Sequence, residues 1–392
     1  MNLKRPTASD ASRIARMNRQ IHAWFATFAL LLVLTCAQQA SSATGAAGMA
    51  AQASPAQGPA LKMRPAPKPD EGSIQLDVVV TDKQGIPVTG LDLKDFTLLD
   101  DKKPAKIVSF RANSALSQRA DDSTQVILLL DAVNLDYLTL SRTRDEIAKF
   151  LRQNGGHLAQ PVSVLLLSND GATVLLQPST DGNALAAELD KTSAALRVID
   201  RAGGVNGDSE RLGLSIKWLT IIAENEAKLP GRKLLIWTGP GWPMFDRATV
   251  TPSLESVRLL FDWAVDVSTT LRKARMTLYD VSLPRHDPNL DANLLDANLY
   301  KSFLKGVKTA DQVQSANLDL KVIAIQSGGS VMFPDNDLAT QIKRCVQDAG
   351  AFYTLSFNPP HADHADEYHE LKVVIDKQKI IARTNTGYYN QP

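Results

Sequence analysis

The sequence predicts an α/β fold with a doubly wound, mainly parallel sheet in three layers. The first observation is the continuous apolar run at 126–130, which is typical of a strand buried on both faces. The second is that further apolar runs of strand length, at 162–167, 233–237 and 276–281, alternate with stretches of helical length. Regular alternation of strand and helix places parallel strands side by side with helices on both faces.

The remaining elements of this central region follow from the same patterns. Helices are expected at about 138–153, 182–195, 208–227, 252–274, 311–326 and 336–348. A short strand at 331–333 and an antiparallel edge strand at 173–176 complete the predicted sheet. The pair Gly328-Gly329 is suited to end the helix at 311–326, because glycine adopts the left-handed backbone of a C-cap without strain.

Both ends of the folded region have the period-two pattern of β-strands. Ile74, Leu76 and Val78 alternate with more polar residues, and turn residues follow. We expect a small β-domain over 72–118 and a C-terminal β-hairpin extension over 351–392, packed together. The α/β domain occupies 124–350 between them and contains a weakly periodic insertion at about 283–310.

The first 43 residues have the three parts of an export signal. A basic leader ends at Arg19, an apolar stretch runs from Ala23 to Leu34, and small residues follow at 41–43. The apolar stretch has about 12 residues, fewer than the roughly 20 of a membrane-spanning helix. We therefore expect a signal peptide and a protein of the periplasm, the cell envelope or the exterior. An uncleaved membrane anchor is the alternative.

Composition limits the classes of partner. Residues 44–71 are rich in Ala, Pro and Gly and are expected to be a disordered linker. Without residues 1–43 the chain has 38 basic and 41 acidic residues, a net charge of −3. No basic run remains, which excludes nucleic acid as the expected partner and leaves membrane contact only through the signal or anchor. Cys345 then has no disulfide partner and is expected to be a small buried residue.

Motifs near both ends of the folded region resemble one family. They are Val79-Val80-Thr81-Asp82-Lys83-Gln84-Gly85-Ile86-Pro87-Val88, Ile107-Val108-Ser109-Phe110, Tyr353-Thr354-Leu355-Ser356-Phe357-Asn358-Pro359-Pro360 and Thr386-Gly387-Tyr388-Tyr389. Over about 73–389 the chain resembles the acidobacterial VWFA-related domain proteins, which contain a von Willebrand factor A-like domain. The resemblance implies a three-layer A-type sheet in an exported module for binding or assembly, without a general catalytic activity.

The resemblance also implies where a metal-ion-dependent adhesion site would lie. Domains of this type hold Mg²⁺ or Mn²⁺ at the C-terminal edge of the sheet. The ligands are an Asp-x-Ser-x-Ser motif after the first strand, a Thr in a second loop and an Asp after a later strand. Here Asp131 fills the first position, whereas Val133, Leu135, Val205 and Gly239 stand at the others. The site is therefore expected to be degenerate.

Polar residues in the same loops offer a way to rebuild the site. The candidate metal ligands are Asp131, Asn134, Asp208 and Ser209. The alternative is that Asp131 only accepts hydrogen bonds from backbone amides at the end of its strand. The expectation is therefore either no cofactor, or Mg²⁺ or Mn²⁺ at a rebuilt site.

The loops at this sheet edge are also the expected surface for a partner. The residues assigned to partner binding are Asp136, Asn206, Trp237, Thr238, Trp242 and Phe245. If the aromatic members are exposed, they form an apolar patch suited to a protein; if they are buried, they cover the top of the sheet. Separately, His361, His364 and His369 lie near carboxylates and could bind Zn²⁺, although a solvated hairpin turn is the favoured interpretation.

These observations predict an exported, non-enzymatic protein-interaction or adhesion module whose partner is another protein. No Gly-x-Ser-x-Gly elbow occurs, and no His is placed to support a nucleophile. Two alternatives stay open. One is a metal-dependent envelope hydrolase with its cation at Asp131 and Asp208, and the other is a structural scaffold of an envelope or secretion complex.

Overall fold

The structure is a computed structural model that describes residues 72–114, 123–191, 204–242, 254–284 and 296–392. The predicted signal peptide and linker lie outside these residues, as does part of the predicted insertion. No helix in the described ranges is both long and apolar enough to cross a membrane.

Within these ranges the chain forms thirteen strands and six α-helices. The strands are β1 (Ile74–Asp82), β2 (Phe96–Asp100), β3 (Lys103–Ala105), β4 (Ile107–Ser114), β5 (Thr124–Asp131), β6 (His157–Ser168), β7 (Gly171–Asp181), β8 (Arg232–Thr238), β9 (Met276–Val281), β10 (Ala351–Phe357), β11 (Glu367–Ile375), β12 (Ile380–Arg383) and β13 (Gly387–Asn390). The helices are α1 (Tyr137–Leu151), α2 (Gly182–Lys191), α3 (Gly204–Glu226), α4 (Leu254–Lys273), α5 (Leu320–Gln326) and α6 (Leu338–Gln347).

The central domain is built on a five-stranded sheet in the order β7-β6-β5-β8-β9. Strands β6, β5, β8 and β9 run parallel, and β7 is antiparallel at the edge. Val126, Leu128 and Leu130 of β5 pack with α1, α2 and α6 in one core, and α3, α4 and α5 lie on the other face. Strands covered on both faces are apolar along their length, so the continuous apolar runs in the sequence identify these strands. The predicted doubly wound α/β fold class is confirmed.

Two predicted elements are wrong in their extent. The region expected to form one helix at 311–326 contains two 3₁₀ turns, and α5 begins only at Leu320. The reason is a local cap: the Asp319 carboxylate accepts a hydrogen bond from the Lys321 amide at 2.8 Å and starts a new helix there. The strand expected at 331–333 is a single parallel bridge between Val331 and Asp280.

The two ends of the folded region contribute strands to two shared antiparallel sheets. Their orders are β12-β1-β10-β4 and β13-β11-β2-β3, so each sheet contains strands from both ends of the chain. Alternate apolar residues of both sheets, among them Leu76, Leu98 and Leu355, form one hydrophobic core. We call this unit the β-sandwich. Residues that the sequence suggests as two separate β-segments are thus interleaved in one core.

Charged side chains join the β-sandwich to the α/β domain. Arg275, which follows α4, donates two hydrogen bonds to the Asp77 carboxylate of β1, at 2.9 and 2.7 Å. The buried Asp348 carboxylate, just after α6, accepts from the Tyr279 hydroxyl at 2.7 Å and from Arg383 of β12 at 2.7 and 2.8 Å. Asp348 therefore links a strand of the α/β sheet to a strand of the β-sandwich.

We expect the substitution Asp348→Asn to lower the free energy of unfolding by about 3 kcal/mol, because it leaves the guanidinium of Arg383, whose side chain is 25% exposed, without its counter-charge. Denaturant titration measures this loss. The control is Asp145→Asn, which removes the partner of Arg144 at a site where Asp145 is mostly exposed and should change stability little. Equal effects of the two substitutions would contradict the prediction.

Candidate functional site

The Asp131 carboxylate, at the end of β5, is fully buried and accepts four hydrogen bonds from its own chain. Oδ1 accepts from the amides of Val133 at 2.9 Å and Asn134 at 3.0 Å. Oδ2 accepts from the Asn134 side-chain amide at 2.8 Å and from the Trp237 indole at 2.9 Å. Burial raises the pKa of Asp131, and these hydrogen bonds act in the opposite direction. The carboxylate has a full set of donors.

Among the other residues of the first loop, Asn134 alone has a buried side-chain oxygen, Oδ1, without a hydrogen-bond partner, and one such oxygen is too few to hold a cation. Val133 and Leu135 are buried, and their side chains carry no oxygen. The Asn134 amide nitrogen donates to Asp131 and, at 3.1 Å, to the Ser215 hydroxyl of α3. Asp136 caps α1, because its carboxylate accepts from the Thr139 amide at 2.8 Å and from the Thr139 hydroxyl at 2.6 Å. The loop is fixed by contacts within the chain.

The third loop is closed against the first. The Thr238 hydroxyl donates to the Leu129 carbonyl at 2.7 Å and is fully buried. A Cβ atom at Gly239 would lie 3.0 Å from the Asp131 Cβ and 3.1 Å from its Oδ2. An aspartate at this position would need the Asp131 side chain to move. Gly239 is therefore matched to the packing of Asp131 beneath it.

The second loop does not bring its predicted ligands to Asp131. Asp208 forms an ion pair with Arg211 one turn further along α3. The α3 residue that meets Asn134 is Ser215, seven positions after Asp208, or roughly 10 Å along the helix axis. Ser209 is exposed next to Asp208, and the Asn206 side chain lies outside the described residues.

These residues do not fit a Mg²⁺ or Mn²⁺ ion at the sheet edge. Such an ion needs about six oxygen ligands in near-octahedral geometry. Asp131 already accepts four hydrogen bonds, two positions of the motif are buried aliphatic side chains, and Asp208 is paired with an arginine. The alternative interpretation of Asp131, as an acceptor for amides at the end of its strand, describes these hydrogen bonds.

The expectation of an exposed aromatic patch is corrected for the two tryptophans. Trp237 and Trp242 are buried and meet edge to face, with ring centroids 5.2 Å apart. The Trp237 indole is held by its hydrogen bond to Asp131, so neither this residue nor the buried Thr238 is available to a partner. The tryptophans cover the top of the sheet. Phe245 lies outside the described residues.

A different set of apolar side chains is exposed at this edge. Tyr137 and Leu138 follow β5, Leu254 opens α4 after β8, and Phe333 lies two residues beyond the bridge to β9. Their exposed fractions are 62%, 61%, 87% and 76%. They are not among the residues that the sequence singles out, although Leu138 is a usable signal. At about 100° per residue, Leu138 lies on the opposite side of α1 from Leu140 and Ile147, whereas Tyr137 lies closer to the core side.

The three histidines do not form one zinc cluster. His361 and His364 are exposed in the loop before β11, whereas His369 is buried within that strand. The solvated turn that the sequence predicts applies to His361 and His364 and not to His369. Cys345 is fully buried on α6, as predicted, and burial raises the pKa of its thiol well above the usual range.

Asp280 is a buried acid that sequence analysis did not single out. Its side chain is 2% exposed and its Oδ1 atom has no hydrogen-bond partner. Burial raises its pKa to about 7, and nearby Lys321 lowers it while Asp319 raises it. Asp280 lies on β9 and itself forms the bridge with Val331.

Comparisons with known proteins add little beyond fold. No family model matches the sequence and no curated protein matches it. Among solved structures, manganese-loaded TRAP of Plasmodium vivax aligns at 9% identity and TM-score 0.31, over 71% of this chain and 97% of that one. The pilus adhesin SpaC of Lactobacillus rhamnosus GG aligns at 8% and 0.32, over 76% and 48%. The SpRpn10 VWA domain aligns at 12% and 0.21, over 44% and 94%. Likeness at this level carries no conclusion about binding.

We expect Asp131→Ala to lower the free energy of unfolding by roughly 3 kcal/mol or more, because it leaves buried donors such as the Trp237 indole without an acceptor. Denaturant titration measures the loss. The control in the same loop is Asp136→Ala, which removes a helix cap and should cost about 1 kcal/mol. Calorimetric titration with Mg²⁺ or Ca²⁺ should give no saturable heat that depends on Asp131. Binding that Asp131→Ala abolishes would contradict this assignment.

We also expect Asp280 to make stability depend on pH. Because its pKa is about 7 in the folded state against 3.8 as the reference value, the folded protein binds a proton that the unfolded chain has lost. Stability therefore falls as pH rises from about 4 to about 7 and then levels off. Asp280→Asn, which mimics the protonated acid, should be more stable than the parent by roughly 4 kcal/mol at pH 8 and similar to it near pH 4. A difference that does not change with pH would refute this.

Proposed function

We propose that this protein is an exported, non-enzymatic interaction module that binds another protein at the C-terminal edge of its α/β sheet, without a metal ion. The observation that carries the proposal is the set of exposed apolar side chains at that edge, Tyr137, Leu138 and Phe333. Large apolar side chains grouped on a surface are typical of protein-binding sites. Export rests on the basic, apolar and small-residue order of residues 1–43.

The contacts around these side chains support a single surface, which we call the edge patch: Tyr137, Leu138 and Phe333. Helices α1 and α6 pack against each other, and Phe333 lies in the segment that leads into α6. Arg142 of α1 donates to the Asn336 side chain of that segment at 3.1 Å. The start of α1 and the segment around Phe333 are thus neighbours.

The buried, hydrogen-bonded Asp131 holds the edge patch in a fixed position. Its hydrogen bonds hold the backbone at Val133 and Asn134, and the Asp136 cap fixes the first turn of α1, where Tyr137 and Leu138 lie. A rigid apolar surface loses little conformational entropy when it binds, which favours affinity. Asp131 therefore supports binding by positioning the loop.

The two alternatives receive less support. A hydrolase with its cation at Asp131 and Asp208 needs free carboxylate oxygens, and those of Asp131 accept four hydrogen bonds while Asp208 pairs with Arg211. No oriented base beside a nucleophile stands out among the described residues of the edge. A purely structural scaffold does not require the edge patch, so substitution of the patch separates it from the proposal.

We expect Tyr137→Ser combined with Phe333→Ser to reduce binding of the partner by at least about tenfold, because two apolar anchors are lost. The measurement is quantitative recovery of envelope proteins on the immobilised full-length protein, followed by affinity measurement with the recovered protein. The matched control is Val374→Ser with Ile381→Ser, which removes exposed apolar side chains from the β-sandwich.

The control variant should bind the partner as the parent does. Binding by the parent should be the same with and without added Mg²⁺ or Mn²⁺. Equal binding by the edge-patch variant and the parent would favour the scaffold. Binding that appears only with the added ion would overturn the metal-free mode.

A further inference from the structure

Three metal-binding side chains converge on the β-sandwich, away from the sheet edge. Asp100 and Asp101 lie at the turn between β2 and β3, and His369 lies on β11. The His369 Nδ1 atom is 2.9 Å from Asp100 Oδ1 and 3.8 Å from Asp101 Oδ2. One ligand atom from each of the three residues lies within 4.8 Å of the others. The two aspartates and the histidine are 269 and 268 positions apart, so only the fold brings them together.

Each carboxylate is held by its outer oxygen and faces the imidazole with its inner one. Asp100 Oδ2 accepts from the Tyr388 hydroxyl at 2.8 Å, and Asp101 Oδ1 accepts from the Glu370 amide at 3.0 Å. The Tyr388 ring also stacks on His369, with centroids 4.9 Å apart. Outer hydrogen bonds that orient ligands in this way are a regular feature of metal sites.

The Nε2 atom on the far side of the imidazole provides an independent observation. His369 is 6% exposed, and its Nε2 atom is buried without a hydrogen-bond partner. The nearest carboxylate oxygen recorded for it, Glu367 Oε1, is 3.6 Å away. If a metal takes Nδ1, the neutral ring carries its proton on Nε2, and a shift of roughly 0.4 Å would bring Glu367 Oε1 into hydrogen-bond range. A histidine that only donated from Nδ1 to Asp100 would leave Nε2 without a role.

We propose that Asp100, Asp101 and His369 form a binding site for a divalent transition metal, with Zn²⁺ as the best match. Four-coordinate zinc with bonds of about 2.0–2.1 Å places its ligand atoms about 3.3 Å apart, between the two distances measured from His369 Nδ1. The imidazole favours zinc over Mg²⁺ or Ca²⁺, which prefer ligand sets made of oxygen. The Asp101 side chain is 41% exposed, so water can supply the fourth ligand.

The site is independent of the proposed partner surface and has a structural consequence of its own. The aspartates belong to the N-terminal strands of the β-sandwich and His369 to the C-terminal ones. A bound ion would join the two ends of the folded chain. Because only the folded state brings the ligands together, binding would also stabilise the fold.

The test is calorimetric titration of ZnCl₂ into the metal-free full-length protein, together with Co²⁺ as a spectroscopic probe. We expect one equivalent to bind, a visible absorption band of four-coordinate Co²⁺ that Zn²⁺ displaces, and a rise in Tm with zinc. The variant Asp101→Asn should weaken binding at least about tenfold. It keeps the shape of a partly exposed side chain, and asparagine tolerates the left-handed backbone at this turn (φ 46°).

Controls locate the ion. His369→Gln should abolish binding. If this buried substitution prevents folding, Asp101→Asn still tests the site. His364→Gln, in the exposed loop nearby, should bind zinc as the parent does. Absence of saturable binding, or binding that depends on His364 and not on Asp101, would overturn the proposal and leave a hydrogen-bonded His-Asp-Tyr network without a metal.

Discussion

The burial of the Asp131 carboxylate at the end of the central strand constrains the whole C-terminal edge of the sheet. A buried carboxylate is costly unless hydrogen bonds replace its water. Here two backbone amides, one side-chain amide and one indole do so. The indole requires Trp237 to lie inward, and Trp242 packs on it. The same packing leaves Gly239 no room for an aspartate without movement. The buried tryptophans and the glycine at position 239 are thus both matched to the Asp131 carboxylate.

The β-sandwich depends on a second constraint, which is that its strands come from opposite ends of the chain. Neither end can bury its apolar face alone, since Leu76 and Leu355 lie on neighbouring strands of one sheet and share a core with Leu98 of the other. The α/β domain must therefore bring the ends together, and Asp348 with Arg383 and Arg275 with Asp77 are the polar contacts at that junction. Folding of the β-sandwich is coupled to folding of the domain between its halves.

The sequence predicts the elements whose signal is local. Strands β5, β6, β8 and β9 lie close to their expected positions, because burial on both faces demands a continuous apolar run. It predicts less well where a short polar residue caps the backbone: Asp319 starts a new helix at Leu320 inside a stretch whose apolar spacing suggests one continuous helix.

The site could be predicted only in part. The sequence predicts which loops lie at the sheet edge, and the residues aligned with the motif show that most of the expected side-chain ligands are absent. The direction of the Trp237 side chain depends on a hydrogen bond to a residue 106 positions away, and no local pattern encodes it. Periodicity could have found the exposed Leu138, since it lies on the opposite side of α1 from the buried Leu140 and Ile147. It could not have found the approach of His369 to Asp100.

Three buried carboxylates show how the supply of donors decides what an acid can do in this fold. Asp131 accepts four hydrogen bonds, which oppose the rise in its pKa caused by burial and leave no oxygen for a cation. Burial raises the pKa of Asp280 to about 7, and no donor to its Oδ1 opposes that rise. Asp100 lies between these cases, because one oxygen is held by Tyr388 and the other faces an imidazole nitrogen that can bind a proton or a metal. An aspartate at the end of a central strand is therefore insufficient for metal binding, since the neighbouring donors determine whether its oxygens are free. By this criterion the chemistry of this chain favours a metal on the β-sandwich over one at the edge of the α/β sheet.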